Sequence, residues 1–194
     1  MSYGLSLITA PSEEPLTLQE AKNHLRVETD FTNDDDLILG LIQAAREWAE
    51  GETDRAFITQ TWDVTFSSFP CESYINIPKP NLVSVTTLKY YDENGVEQTW
   101  DSANYIVNAG SLPGRVSLAP NIVWPTIQAG RDKAVTIRFV CGYGDASAVP
   151  EAIKSAIKLK IGELYENREG VVYGVPNKLG AIDSLLSLYS VPEA

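Results

Sequence analysis

The chain has 194 residues, 44% of them hydrophobic, and a formal charge of −11. That length allows one sizeable domain or two small ones, and that composition belongs to folded rather than disordered chains. So acidic a chain is a poor candidate for gripping nucleic acid through its phosphates, and its two cysteines, Cys71 and Cys141, make neither a disulfide framework nor a metal-ligand spacing.

The charge is spread unevenly. Residues 1–60 carry −8, residues 61–149 carry −2 and residues 150–194 carry −1. The opening MSYGLSLITAP has no basic stretch and no long apolar core, so no signal peptide is expected and a cytosolic origin fits. No apolar run approaches the roughly 18 residues of a membrane span.

Residues 1–16 read as extended, because Pro11 and Pro15 oppose helix. Thr17-Leu18-Gln19-Glu20 has the pattern of a capping box, in which the threonine hydroxyl and the glutamate carboxylate each satisfy one orphan amide. A short helix follows to about Val27, with Leu18, Ala21 and Leu25 on one face. After the polar turn Glu28–Thr32, the stretch Asn33–Arg55 predicts a long amphipathic helix. Asp34, Asp35 and Asp36 open it, where carboxylates suit the helix dipole, and Asn33 or Asp34 is the expected N-cap. Its apolar stripe is read as Leu37, Leu41, Ala44, Ala45 and Trp48, widened by Ile38, Ile42 and Ala49. Two helices so close in sequence make an αα-hairpin.

The period then changes to two. Trp62, Val64 and Phe66 alternate with Asp63, Thr65 and Ser67, as in a half-buried strand. Further strands are expected at Tyr74–Ile77, Val83–Tyr91, Val96–Trp100, Tyr105–Asn108, Arg115–Leu118 and Ala134–Val140, with Asn94-Gly95 as a hairpin turn and Asn121–Gly130 as a loop. Helix returns after Pro150 through Ile153, Ala156, Ile157, Leu164 and Tyr165 to about Asn167. A loop over Glu169–Pro176 precedes a last helix capped by Asn177 and striped by Leu179, Ile182, Leu186 and Tyr189. The expected fold is α+β: a helical bundle built from residues 1–56 and 149–194, interrupted by an antiparallel β domain over 57–148, sandwich- or barrel-like.

Catalytic chemistry finds little support. The single histidine, His24, has no orienting partner nearby in sequence, and both cysteines fall in β surroundings where buried thiols are inert. The acids of Asp30–Asp36 miss the calcium-loop pattern, because Asp35 stands at the glycine position and Leu41 at the final glutamate position. Gly142-Tyr143-Gly144-Asp145 lacks the Walker lysine and reads as a turn leaving a sheet. A small cysteine-dependent hydrolase using Cys71 or Cys141 with His24 is the alternative from another class, and no cofactor or metal is expected.

Several stretches resemble the head–tail connector (adaptor) family of long-tailed bacteriophages, prophages and gene-transfer agents. They are Leu16-Thr17-Leu18-Gln19-Glu20-Ala21-Lys22-Asn23-His24-Leu25-Arg26-Val27, the Asp36–Trp48 segment, Thr59-Gln60-Thr61-Trp62, Tyr90–Gly95, Phe139–Gly144 with Val149-Pro150, and Leu164–Glu169. Cys141 departs from the small residue expected there, which bears on packing alone. The resemblance implies a virion protein with no active site, made in the host cytoplasm. It would form a ring of about twelve copies beneath the portal, extend the DNA channel without binding DNA specifically, and receive a head-completion (stopper) or tail-terminator protein. A tail-side completion or scaffold protein is a third reading. Combined with the acidic bias, the resemblance makes Asp34, Asp35, Asp36, Glu47 and Glu50 candidates for the channel wall. It makes Val171, Val172, Tyr173, Val175, Leu186 and Tyr189 candidates for contact with the portal.

Overall fold

The computed structural model describes residues 2–167 and 179–191. The chain divides into two compact units, one of Met1–Pro11 with Thr59–Gly142 and one of Ser12–Ile58 with Tyr143–Ala194. The first holds the strands and the second the helices.

In the helical unit the capping box forms as expected. The Thr17 hydroxyl accepts from the Glu20 amide at 3.2 Å, and the Glu20 carboxylate accepts from the Thr17 amide at 2.8 Å. It opens helix α1 (Leu18–Leu25), which Arg26 ends in the left-handed conformation at φ 58°. Helix α2 runs Asp35–Thr53. Lys22 is buried between the two, where its ammonium donates to the carbonyls of Thr29 and Phe31 and pairs with Asp35 at 2.5 Å. One cation thus satisfies the carbonyls of the connecting turn and fixes the hairpin.

Helix α3 (Glu151–Glu166) and helix α4 (Leu179–Ser187) complete the unit. The core draws Ile38, Ile42, Ala45 and Ala49 from α2, Ile153, Ala156, Ile157 and Ile161 from α3, and Ile182 and Leu186 from α4. At roughly 1.5–3 kcal/mol for each large aliphatic side chain, this burial is what holds short helices that would not persist alone. The stripe on α2 is rotated from its expected position: Leu37 is 37% exposed and Ala44 is also exposed, whereas Ile38 is fully buried. Residues 38, 42, 45 and 49 follow the 4, 3, 4 spacing of one helix face, and α1, α3 and α4 together select that face.

In the β unit, strands β1 (Gly4–Thr9), β2 (Gln60–Phe66), β3 (Tyr74–Ile77), β4 (Leu82–Tyr91), β5 (Glu97–Thr99), β6 (Tyr105–Asn108), β7 (Gly114–Leu118) and β8 (Val135–Cys141) form two open antiparallel sheets. Their orders are β1-β2-β8-β4-β5 and β3-β7-β6, so no closed barrel exists among the described residues. The pairing of β2 with β8 sets Val64 opposite Ile137 and Phe66 opposite Val135, all on one buried face. On the other face Asp63 and Arg138 make a two-pronged ion pair with both contacts at 2.8 Å. At Gly114 a Cβ would meet Leu82 at 2.6 Å, so glycine lets β7 approach β4. The Asn94-Gly95 hairpin turn forms, with Gly95 at φ 77°. The opening residues are extended as expected, but they do not belong with the helical domain expected over 1–56: Gly4–Thr9 is a strand paired with β2 and groups with the sheets.

Candidate assembly surface

Helix α2 separates its charges by face. Asp36, Gln43, Glu47 and Asp54 stand at i, i+7, i+11 and i+18, which at about 100° per residue is one line along the helix. All four are exposed. Gly40 and Gly51 lie in the same arc, and a Cβ added at either would meet nothing within 4 Å, so neither glycine is demanded by packing inside the chain. The only basic residue in the helix, Arg46, is turned inward and is 5% exposed. Among the described residues of α2, the outward face is therefore acidic and carries no exposed cation, the buried Arg46 reaching Glu47 from the inner side at 3.5 Å.

The expected channel acids divide accordingly. Asp36 and Glu47 are exposed on this line, Glu47 accepting from Gln43 at 2.9 Å. Asp35 is engaged by Lys22. Asp34 occupies the N-cap position without making a capping bond, and its carboxylate accepts instead from the Tyr165 hydroxyl at 2.5 Å. Glu50 cannot serve an outer wall in this fold, because it is 8% exposed and its carboxylate holds Arg46 at 2.8 Å and the Phe57 amide at 2.7 Å. Asp54, which follows α2 and caps it in the left-handed conformation, was not singled out from the sequence and joins the exposed line.

At the other end of the chain Leu186 is 3% exposed and packs in the core, so it seats α4 rather than presenting a contact. Tyr189 packs against the same core, and its carbonyl accepts from the Arg55 guanidinium. Val171, Val172, Tyr173, Val175 and the Asn177 cap lie outside the described residues.

The residues considered for catalysis do not build a site. Cys141 is buried in the sheet, Cys71 lies in the exposed turn before β3, and His24 sits on the exposed side of α1. Gly144-Asp145 begins a single 3-10 turn whose amides at Ser147 and Ala148 are taken by the Asp145 side chain itself. Those contacts hold the Asp145 carboxyl below its ordinary range, the Ser147 hydroxyl being the largest influence. No group of three or more His, Cys, Asp and Glu side chains arranged to hold a metal exists among the described residues. No described helix is long and apolar enough to cross a membrane.

Comparison with known proteins points one way. No curated protein matches the sequence. The chain is similar to a subunit in the neck of an empty GTA particle computed with C6 symmetry, at a TM-score of 0.83 and 23% identity, covering 98% of this chain and 97% of that one. It is also similar to a chain in the virion of a native gene transfer agent particle (TM-score 0.79, 24% identity, 98% and 96% covered). A third match is the neck of a native GTA particle computed with C12 symmetry (TM-score 0.79, 22% identity, 98% and 97% covered). At these identities the likeness is one of fold. Residues 15–109, from the capping box through β6, match the model of the Phage gp6-like head-tail connector protein. Over that span, about half of the chain, the sequence is similar to the head–tail connector family.

Proposed function

We propose that the chain is a structural neck protein of a phage or gene-transfer-agent virion. It forms a ring beneath the portal, continues the DNA channel and presents a platform to the next stopper or tail-terminator protein. The observation that carries the channel reading is the outward face of α2, where Asp36, Gln43, Glu47 and Asp54 are in line with no exposed cation among them. Turned toward a bore, such a face repels phosphates and gives a sliding duplex no counterion-releasing contact to stall on. Gly40 and Gly51 keep the wall flat. In this reading the acids of the helix N-terminus, Asp34 and Asp35, hold the bundle together while Asp36, Glu47 and Asp54 face DNA. Portal contact is assigned to the C-terminal segment through Val171, Val172, Tyr173 and Val175, with α4 seated by Leu186 and Tyr189.

The channel reading is tested by the triple variant Asp36→Lys, Glu47→Lys, Asp54→Lys in assembled particles. These positions are exposed, so folding and ring formation are expected to persist. DNA exit is expected to slow, and the more so at low ionic strength, where charges act over a longer range. Unchanged release at every salt concentration would show that this face does not border the channel.

A further inference from the structure

Four strand edges bound the two sheets: β1 and β5 on one, β3 and β6 on the other. A free edge offers a row of unpaired amides and carbonyls to any extended chain, and folded proteins guard such edges with charge, proline or brevity. Two of these edges are guarded. β5 has three residues, and its Glu97 is in an ion pair with Lys89 at 2.7 Å. β3 is stopped by Pro78 and Pro80, and the Arg115 guanidinium lies 4.7 Å over the Tyr74 ring.

The other two edges carry neither charge nor proline, although β1 is irregular between Leu7 and Thr9 and the last carbonyl of β6, that of Asn108, accepts from the Ser111 hydroxyl. β1 reads Gly-Leu-Ser-Leu-Ile-Thr, with neither charge nor proline, and its pairing partner among the described strands is β2, on one side. Its register places Leu5 and Leu7 opposite Val64 and Trp62, so Leu7 carries the apolar face past the edge of the sheet and is 46% exposed. β6 reads Tyr-Ile-Val-Asn, also uncharged, with Ile106 53% exposed.

We infer that β1 of one copy adds to β6 of the next, so that strand pairing between copies is the ring contact of the β unit. The inference rests on the ring reading above. A closed ring needs two different surfaces on each copy that fit one another, and β1 and β6 are two such edges within one unit. Neither carries charge, so their pairing strips water from no ion. Main-chain hydrogen bonds supply the affinity, and side chains such as Leu7 and Ile106 supply the specificity.

Hydrogen exchange of the full chain, free and in purified necks, tests it. Amides of residues 4–9 and 105–108 are expected to exchange at least about tenfold more slowly in the neck. A neck that contains the chain but leaves either segment exchanging at its free rate overturns the strand pairing and keeps the connector reading. A neck that lacks the chain overturns both. In a second arm, Leu7→Lys and Ile106→Lys are each expected to cut incorporation into necks at least about tenfold while the free variants keep the far-ultraviolet circular dichroism of the parent. Incorporation of either folded variant at the parent level overturns the inference.

Discussion

Arg46 and Glu50, one turn apart on α2, form a buried ion pair at 2.8 Å. The arginine also donates to Glu14 at 2.7 Å, and the second oxygen of Glu50 takes the Phe57 amide. One carboxylate therefore ties the helix to the chain that leaves it, and one guanidinium ties it to the segment before α1. Burial by itself would lower the Arg46 pKa, but the Glu14 and Glu50 carboxylates outweigh it and hold the group above its ordinary value. Glu50→Ala should cost roughly 3 kcal/mol, because it takes one of two carboxylates from a buried cation and leaves the buried Phe57 amide without its acceptor. Urea unfolding measures this, and a loss below about 1 kcal/mol would mean the network does not hold the unit.

The face of α2 that meets the core is open to an equally direct test. Ile38→Ala should destabilise by about 2–5 kcal/mol, the usual cost of a cavity at a fully buried aliphatic. Leu37→Ala, one residue earlier and exposed, should cost no more than about 0.5 kcal/mol. Equal losses at the two positions would contradict the rotation of the helix.

Acid should weaken the first capping box. The Thr17 amide, and after it the Thr17 hydroxyl, hold the Glu20 carboxyl below its ordinary value of 4.5. A depressed pKa in the folded state contributes stability that is fully present above pH 4.5 and is lost as pH falls through the lowered folded value. Glu20→Gln should therefore lower stability at pH 7 by about 0.5 kcal/mol. The gap between parent and variant should close in strong acid. A gap that stays constant from pH 7 to well below 4.5 would show that the carboxylate charge is not what the box uses.

Helix α4 is held by Ile182 and Leu186 in the core and by the Arg55 guanidinium on the Tyr189 carbonyl. Arg55→Ala should speed hydrogen exchange in α4 by at least about tenfold while α2 and α3 keep their protection, since losing a hydrogen bond to a charged group costs about 1.5–3 kcal/mol. Uniform exchange changes across all four helices would point to global destabilisation instead.

What the sequence made legible was local. The Thr17–Glu20 box, the bounds of α1 to α3 within one or two residues, the Asn94-Gly95 turn and the alternation along β2 all depend on neighbours a few residues away. What it hid was set at long range. Gly4–Thr9 becomes a strand only because β2, some sixty residues later, offers it an edge. Arg46 has the pattern of an outer-face residue until Glu14 is brought against it. Ile38 and Leu37 are equally apolar in one dimension, and the helices packed around α2 decide between them. The same blindness mixed Glu50, a structural carboxylate, with Asp36 and Glu47, which are exposed, and passed over Asp54, whose place on the line shows only once the helix is drawn through to its cap.

Electron cryomicroscopy of a neck containing this chain, at a resolution that traces α2, tests the central claim most directly. The expected result is a closed ring beneath the portal with Asp36, Glu47 and Asp54 facing the bore. A ring that turns these three outward, or a neck in which the chain takes no place, would contradict it.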